Sequence, residues 1–459
     1  MSETEAKQSA AKCSVGMRDG KACGREVHDQ DGYCICHSAD SGKDTGTIQR
    51  EVGGMLDRRD YDFTGFVFPY EVQFDDARFE ADTSFRGATF RDAANFRQAT
   101  FQGAADFRET KFQKNADFLR ANFQDTASFR KTTFQSTAMF TLATFQNTAD
   151  FSWATFRDEA LLGGATFQKA ATFTLAQFHG FADFLWAKFQ DEAVFKGDSS
   201  DRVFDPESKD RFRYGRVFSP ASDARFSDVR FDHPEKVVFR QVFLGRTSFV
   251  GTDVRRLDFT DVRWARRLGG RCAVWDELAT VGGKMRGWWH PHMKDYALIG
   301  QLYRQLKHNY EERRDPITAG DFHFGEMHMR RLGNPPGNCV LCFLKRNLSF
   351  LALYRWISGY GEDHLLALAW VVGVTVAFAL AFAYVPALTL QPSHSSAASP
   401  PMQGFWPRLS YSVMCFLLRP DRPLQPVYPA GHYVSVAEGV VGPPLLALLV
   451  LALNRRFKR

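Results

Sequence analysis

The chain has 459 residues, with 58 Lys plus Arg against 52 Asp plus Glu, a formal charge of +6. So small an excess argues against a nucleic-acid binder along much of its length. A composition 44% hydrophobic and 24% charged excludes global disorder. Phe is the outlier, with 44 copies against 13 Tyr and 9 Trp, and such a bias points to a repeat. The opening MSETEAKQSA is polar and acidic, unlike a secretory leader. The composition divides the chain into five regions: 1–50, 60–270, 276–335, 339–361 and 362–459.

In the first region four of the 8 Cys fall within 24 residues, where a metal site is favoured over a disulfide framework. Cys13, Cys23, Cys34 and His37 are spaced C-x9-C-x10-C-x2-H, and Gly20, Gly24 and Gly32 supply turns. Zinc takes four Cys or His ligands in a tetrahedron, and a small polar segment can fold around it. The spacing resembles the three-cysteine, one-histidine zinc knuckle of plant WRC domains and of small prokaryotic knuckles. That resemblance implies a structural zinc held by Cys13, Cys23, Cys34 and His37. Cys36 and His28 are spare, and Cys36 could replace Cys34. The only basic residues nearby are Lys12, Arg18, Lys21 and Arg25, too few to favour nucleic-acid binding.

The second region is a repeat. One series of Phe runs from Phe79 to Phe189 at a period of 11, and a second from Phe85 to Phe195 interleaves with it, Leu162 standing once for Phe. Two residues before each centre from Phe90 to Phe195 stand 18 Ala and 2 Thr, the latter Thr110 and Thr132. A helical seam would need further apolar residues at three- and four-residue spacing, but the intervening positions are mostly polar. A coil of short strands fits, with one large and one small residue pointing inward on each side. The units ATFQGAADFRE, ANFQDTASFRK and ATFQNTADFSW resemble the Phe-rich subgroup of pentapeptide-repeat proteins, which implies a right-handed quadrilateral β-helix. An extra residue in every second unit makes a coil of 22 residues rather than 20. Phe63 to Phe195 then gives about six coils, roughly 29 Å tall. A looser stretch, 198–238, follows before a five-residue step returns at Leu244, Phe249, Val254, Phe259 and Trp264 as last coil and cap. Between Asp62 and Gly197 stand 17 acids and 14 bases, a mixed surface that argues against DNA mimicry.

Residues 295–314 carry Leu298, Leu302, Leu306 and Tyr310 on one helical face, and Asp315-Pro316 starts a second helix to about 331. His323, Glu326 and His328 read as polar helix surface and hairpin packing. His290-Pro-His292 reads as a loop, and Cys339-x2-Cys342 as a lone pair. The third region also resembles the connector of prokaryotic proteins that join pentapeptide repeats to a two-helix channel-like domain.

Residues 339–361 mix apolar and basic side chains and read as an interfacial helix with Tyr354, Trp356 and Tyr360 at the headgroups. His364–Val385 and Val434–Leu453 are long and apolar enough to span a bilayer. The tail Asn454-Arg455-Arg456-Phe457-Lys458-Arg459, with Lys345, Arg346 and Arg355, places both termini in the cytoplasm of a multi-pass inner- or plasma-membrane protein. YRWISGYGED, FWPRLSYSVMCF and the second span resemble the two-helix pore domain of potassium channels. That resemblance implies a homo-oligomer. The carbonyl filter is missing: after the would-be pore helix come Leu417, Leu418, Arg419, Pro420, Asp421 and Arg422. Glu438, within the second span, is the intramembrane candidate, and Gly442-Pro443-Pro444 predicts a kink. No nucleophile constellation or phosphate loop suggests an enzyme. The expectation is therefore a non-enzymatic membrane scaffold, sensor or channel-like protein with a protein partner on the solenoid. An active potassium-type channel and a DNA-mimic or nucleic-acid module are the alternatives.

Overall fold

A computed structural model describes residues 11–198 (except 29, 31 and 41), 217–282 (except 268 and 269), 295–333, 344–392 (except 346) and 404–457 (except 420, 421 and 423). The chain forms two compact units, Met1–Lys294 and Asp295–Arg459. His290, His292, Cys339 and Cys342 lie outside the described residues.

The first unit is a β-solenoid of about eight turns, built of two-residue strands stacked into four parallel walls. Val67 pairs with Thr89 and Thr89 with Lys111, a step of 22 residues, as the repeat requires. Every second residue of a strand points inward, so each Phe lies on its equivalent one coil away. Phe68 stacks on Phe90 at 4.7 Å, Phe90 on Phe112 at 4.8 Å and Phe112 on Phe134 at 5.1 Å, with planes within 10°. Within a coil the rings meet edge to face, as Phe96 and Phe107 do at 5.6 Å and 90°. Such pairs contribute roughly 0.5–1.5 kcal/mol each beyond area burial.

The small position is buried throughout this stack. Where Thr replaces Ala, its hydroxyl has a partner: Thr110 Oγ1 donates to Phe85 O at 2.7 Å and Thr132 Oγ1 to Phe107 O at 2.6 Å. The left-handed corner lies in the five-residue steps, at the second residue after the Phe that opens each, and not in the six-residue steps that carry the extra residue. Gln98, Glu109, Arg120, Lys131, Leu142, Trp153, Leu175 and Trp186 have φ between 56° and 63°.

The stretch 198–238, expected to be loose, rejoins the solenoid earlier than its sequence suggests. Ala182 pairs with Ala224, Phe189 with Phe231 and Phe195 with Phe239. Its irregular spacing conceals the repeat, but the stacking of Phe184 on Phe226 at 4.5 Å restores the register. The last coil tightens to 20 residues, Phe239 pairing with Phe259. Helix α2 (Trp275–Gly282) closes that end. Ser248 Oγ donates to the buried Asp276 at 2.6 Å, and buried Glu277 accepts from Arg267 and Arg271 at 2.6 and 2.8 Å. The other end carries α1 (Thr45–Asp57), capped by Asp44 and burying Ile48, Val52 and Met55. Residues 1–50 read as a polar segment in sequence, yet α1 runs across that boundary.

The second unit is helical. Helices α3 (Tyr296–Glu312) and α4 (Pro316–Gly333) form the expected hairpin. The buried stripe of α3 runs through Ile299, Leu302, Tyr303, Leu306 and Tyr310, with Leu298 only half-buried. Gly325 lets the helices approach, since a Cβ there would lie 2.4 Å from the Tyr303 ring. Helix α5 (Phe350–Ser358) exposes Phe350, Leu353 and Trp356. Tyr360, expected at the headgroups, is instead fully buried against Phe324 at 5.0 Å. The reason is local: Gly359, at φ 55°, turns the chain back after α5 and tucks Tyr360 inside. Helices α6 (His364–Tyr384), α7 (Phe405–Phe416) and α8 (Pro429–Phe457) complete the unit. Helix α8 runs on through Pro443 and Pro444.

Candidate metal centre and apolar helices

The Cys13 and Cys23 segments pair antiparallel, Cys13 N donating to Arg25 O and Cys23 N to Val15 O, each at 2.8 Å. Cys34 opens a turn that returns His37, whose N–H reaches Cys34 O at 3.0 Å. The result gathers four widely spaced residues. One ligand atom from each of Cys13, Cys23, Cys34 and His37 lies within 4.8 Å of all the others.

Tetrahedral zinc, with bonds of about 2.3 Å to S and 2.05 Å to N, requires S–S edges of about 3.8 Å and S–N edges of about 3.5 Å. Here Cys23 Sγ and Cys34 Sγ are 3.8 Å apart, and His37 Nδ1 is 3.4 Å from Cys13 Sγ and 3.1 Å from Cys34 Sγ. All three thiols are free, and 3.8 Å is far beyond a disulfide bond. His37 Nε2 lies 2.9 Å from Thr64 O. A carbonyl oxygen can only accept, so the ring proton belongs on Nε2. The bare Nδ1 lone pair then faces the sulfurs, the tautomer of a metal-ligating imidazole oriented by a backbone carbonyl. The donor set therefore fits a closed zinc site with no open position.

Without an ion, burial pushes the Cys23 thiol up. The Cys34 thiol is raised by its bond to Cys36 and then by burial, whereas the same bond lowers Cys36. A divalent cation would hold the three ligand thiols as thiolates. Cys34 belongs to the four-residue cluster, and Cys36 is fully buried beside it but outside it. Sequence reasoning missed Arg25 and Lys43. Arg25 Nη1 donates to Cys23 Sγ at 3.2 Å and its Nε to Glu51 at 3.1 Å. Two other basic residues nearby are also engaged: Arg18 pairs with Asp82 and Lys21 with Asp19.

Glu326, flagged with His323 and His328, accepts from Arg304 across the hairpin at 2.9 Å. Among the described residues, only Cys13, Cys23, Cys34 and His37 bring three or more His, Cys or acidic groups within reach of one ion.

Helix α6 and residues Pro429–Asn454 of α8 are long and apolar enough to cross a membrane. At 21 residues α6 is about 32 Å long. Large apolar side chains stand exposed on both helices, among them Leu365, Trp370 and Val372 on α6 and Val436, Val440 and Val450 on α8. Short α7 packs between them through buried polar groups. Tyr411 Oη lies 2.9 Å from Ser435 Oγ, and Ser412 Oγ lies 2.9 Å from Thr375 O and against Glu438. Glu438 is fully buried, and its Oε2 finds no hydrogen-bond partner among the described residues. Gly442 permits the contact with α7, because a Cβ there would lie 2.4 Å from Phe416 O. After α7, Leu418 turns left-handed at φ 54° and Arg422 Nε donates to Arg419 O at 3.0 Å.

The family model described as pentapeptide repeats (9 copies) matches residues 63–111 and 107–152. No curated protein and no solved structure matches the chain.

Proposed function

We propose that this pentapeptide-repeat chain is a non-enzymatic membrane scaffold: a zinc-capped solenoid that offers its walls to a protein partner and is anchored through α6 and α8. The observation that carries the reading is the apolar surface exposed along both helices, which water would penalise and lipid or neighbouring subunits would cover. In this reading both termini are cytoplasmic, the pore-like arrangement of α6, α7 and α8 assembles as a homo-oligomer, and Cys13, Cys23, Cys34 and His37 hold structural zinc. Zinc supplies a fixed tetrahedral crosslink, and the four residues position it.

Expression of the full chain tests the anchor. It should remain in the membrane pellet after an alkaline carbonate wash and dissolve only in detergent; recovery in the aqueous fraction would refute the anchor. An active channel is the second reading, favoured by the seating of α7 on buried Glu438. Liposome currents abolished by Glu438→Gln would support it, and silent bilayers would leave the scaffold. The DNA-mimic alternative is disfavoured by the mixed charge of the repeat and by the internal pairing of Arg18, Lys21 and Arg25.

A further inference from the structure

We infer that the metal centre and the first coil of the solenoid form one cooperative unit, in which Arg25 is the positioning residue that joins them. The inference rests on the zinc reading above and adds what the ion controls: closure of the amino-terminal end of the phenylalanine stack.

Several independent contacts couple the two parts. The carbonyl that orients His37 belongs to Thr64, in the first coil. Val67 N, in the first strand of the wall, donates to Cys36 O at 2.8 Å, where a preceding coil would otherwise supply the acceptor. Lys43, only 4% exposed, donates to three carbonyls: Ile35 O at 3.0 Å, Ser38 O at 2.9 Å and Val67 O at 2.8 Å. The His37 ring meets Phe66 edge-on at 5.1 Å.

Arg25 meets both sides at once. Its guanidinium donates to Cys23 Sγ, is held by Glu51 of α1, and lies 5.3 Å above the Phe66 ring. Three thiolates and a neutral imidazole around a divalent cation leave one net negative charge beside an apolar stack. A guanidinium bonded to one thiolate compensates that charge, and its flat face covers the ring. If the knuckle lost its ion, these contacts would lose their common support and the ring of Phe63, Phe66 and Phe68 would face water. Linkage is reciprocal: what orders the first coil must tighten the metal, and the metal must order the coil.

The test uses the full-length protein in detergent, loaded with Zn²⁺ or with Co²⁺ and then stripped by a chelator. Amide exchange is followed by mass spectrometry, and the cobalt–thiolate absorption reports the site. Stripping should accelerate exchange across residues 61–74 about tenfold or more while residues 118–156 stay protected, since local stability differs along a solenoid. Arg25→Gln should bind one ion per chain with the same cobalt spectrum but roughly 10–100-fold more weakly, as loss of an outer partner of a metal ligand does. Arg25→Lys should recover only part of that loss. One ion per chain with identical exchange in both states, and Arg25→Gln binding as tightly as the parent, would overturn the coupling while leaving the zinc centre standing. Absence of bound metal would overturn both.

Discussion

At the scale of single residues, burial and hydrogen bonding decide what a polar side chain contributes. Asp276 is 6% exposed at the carboxyl-terminal cap, and its carboxyl is pushed up to about 6 by burial, against an ordinary value of 3.8. A raised folded-state value means the folded cap holds the proton more tightly than the unfolded chain. The stabilisation is therefore fully present below about pH 3.8 and is lost as pH rises through about 6. At pH 7.5 the ionised carboxylate costs up to about 3 kcal/mol. Asp276→Asn, still accepting from Ser248, should raise the thermal midpoint at pH 7.5 and not at pH 4; equal effects at both would refute the assignment. Leu162 is the lone gap in its column, with Phe140 on one side and Phe184 on the other, and it is fully buried. Leu162→Phe should complete that column and add about 0.5–1.5 kcal/mol, measured by chemical denaturation. A loss of stability would mean the coil has closed around the smaller side chain.

At the scale of elements, close approaches set what can be changed. Any side chain at Gly325 would press on Tyr303, so Gly325→Ala should separate α3 from α4 despite the higher helix propensity of Ala. We expect a net loss of about 1–3 kcal/mol, seen as faster exchange in both helices. Unchanged exchange would show that the Tyr303 ring simply swings aside. Corner residues behave oppositely, because a non-glycine side chain at positive φ is strained while Asn tolerates it. Arg120, at φ 56°, should accept Arg120→Asn with a gain of up to about 1 kcal/mol in unfolding free energy.

At the scale of the whole molecule, the solenoid is quasi-one-dimensional: each coil touches only its neighbours, and only the end coils meet the caps. Removing residues 111–132, one full coil, joins Thr110 to Thr133 and leaves every wall in phase. That deletion should fold, keep one ion per chain, and shorten the β signal in far-ultraviolet dichroism without a molten state. Loss of cooperative unfolding would show that the coils are not interchangeable.

The repeat was legible because one chemical rule recurs with Leu162 as the single exception from Phe90 to Phe195: Phe inward, Ala or Thr two residues before it, mostly polar residues between. Periodicity therefore set the 11-residue double unit, the resemblance to pentapeptide repeats implied two such units per coil, and continuous apolarity set the two long helices. The burial of Tyr360, the rejoining of the coil after the irregular stretch, and the contacts of Arg25 with the cysteine cluster were not legible. Each depends on where a distant segment arrives: a carbonyl of Thr64 fixes the His37 tautomer, and a left-handed Gly359 turns Tyr360 inward. Sequence determines what repeats or accumulates locally; convergence of separate segments onto one point is settled only when the chain has packed.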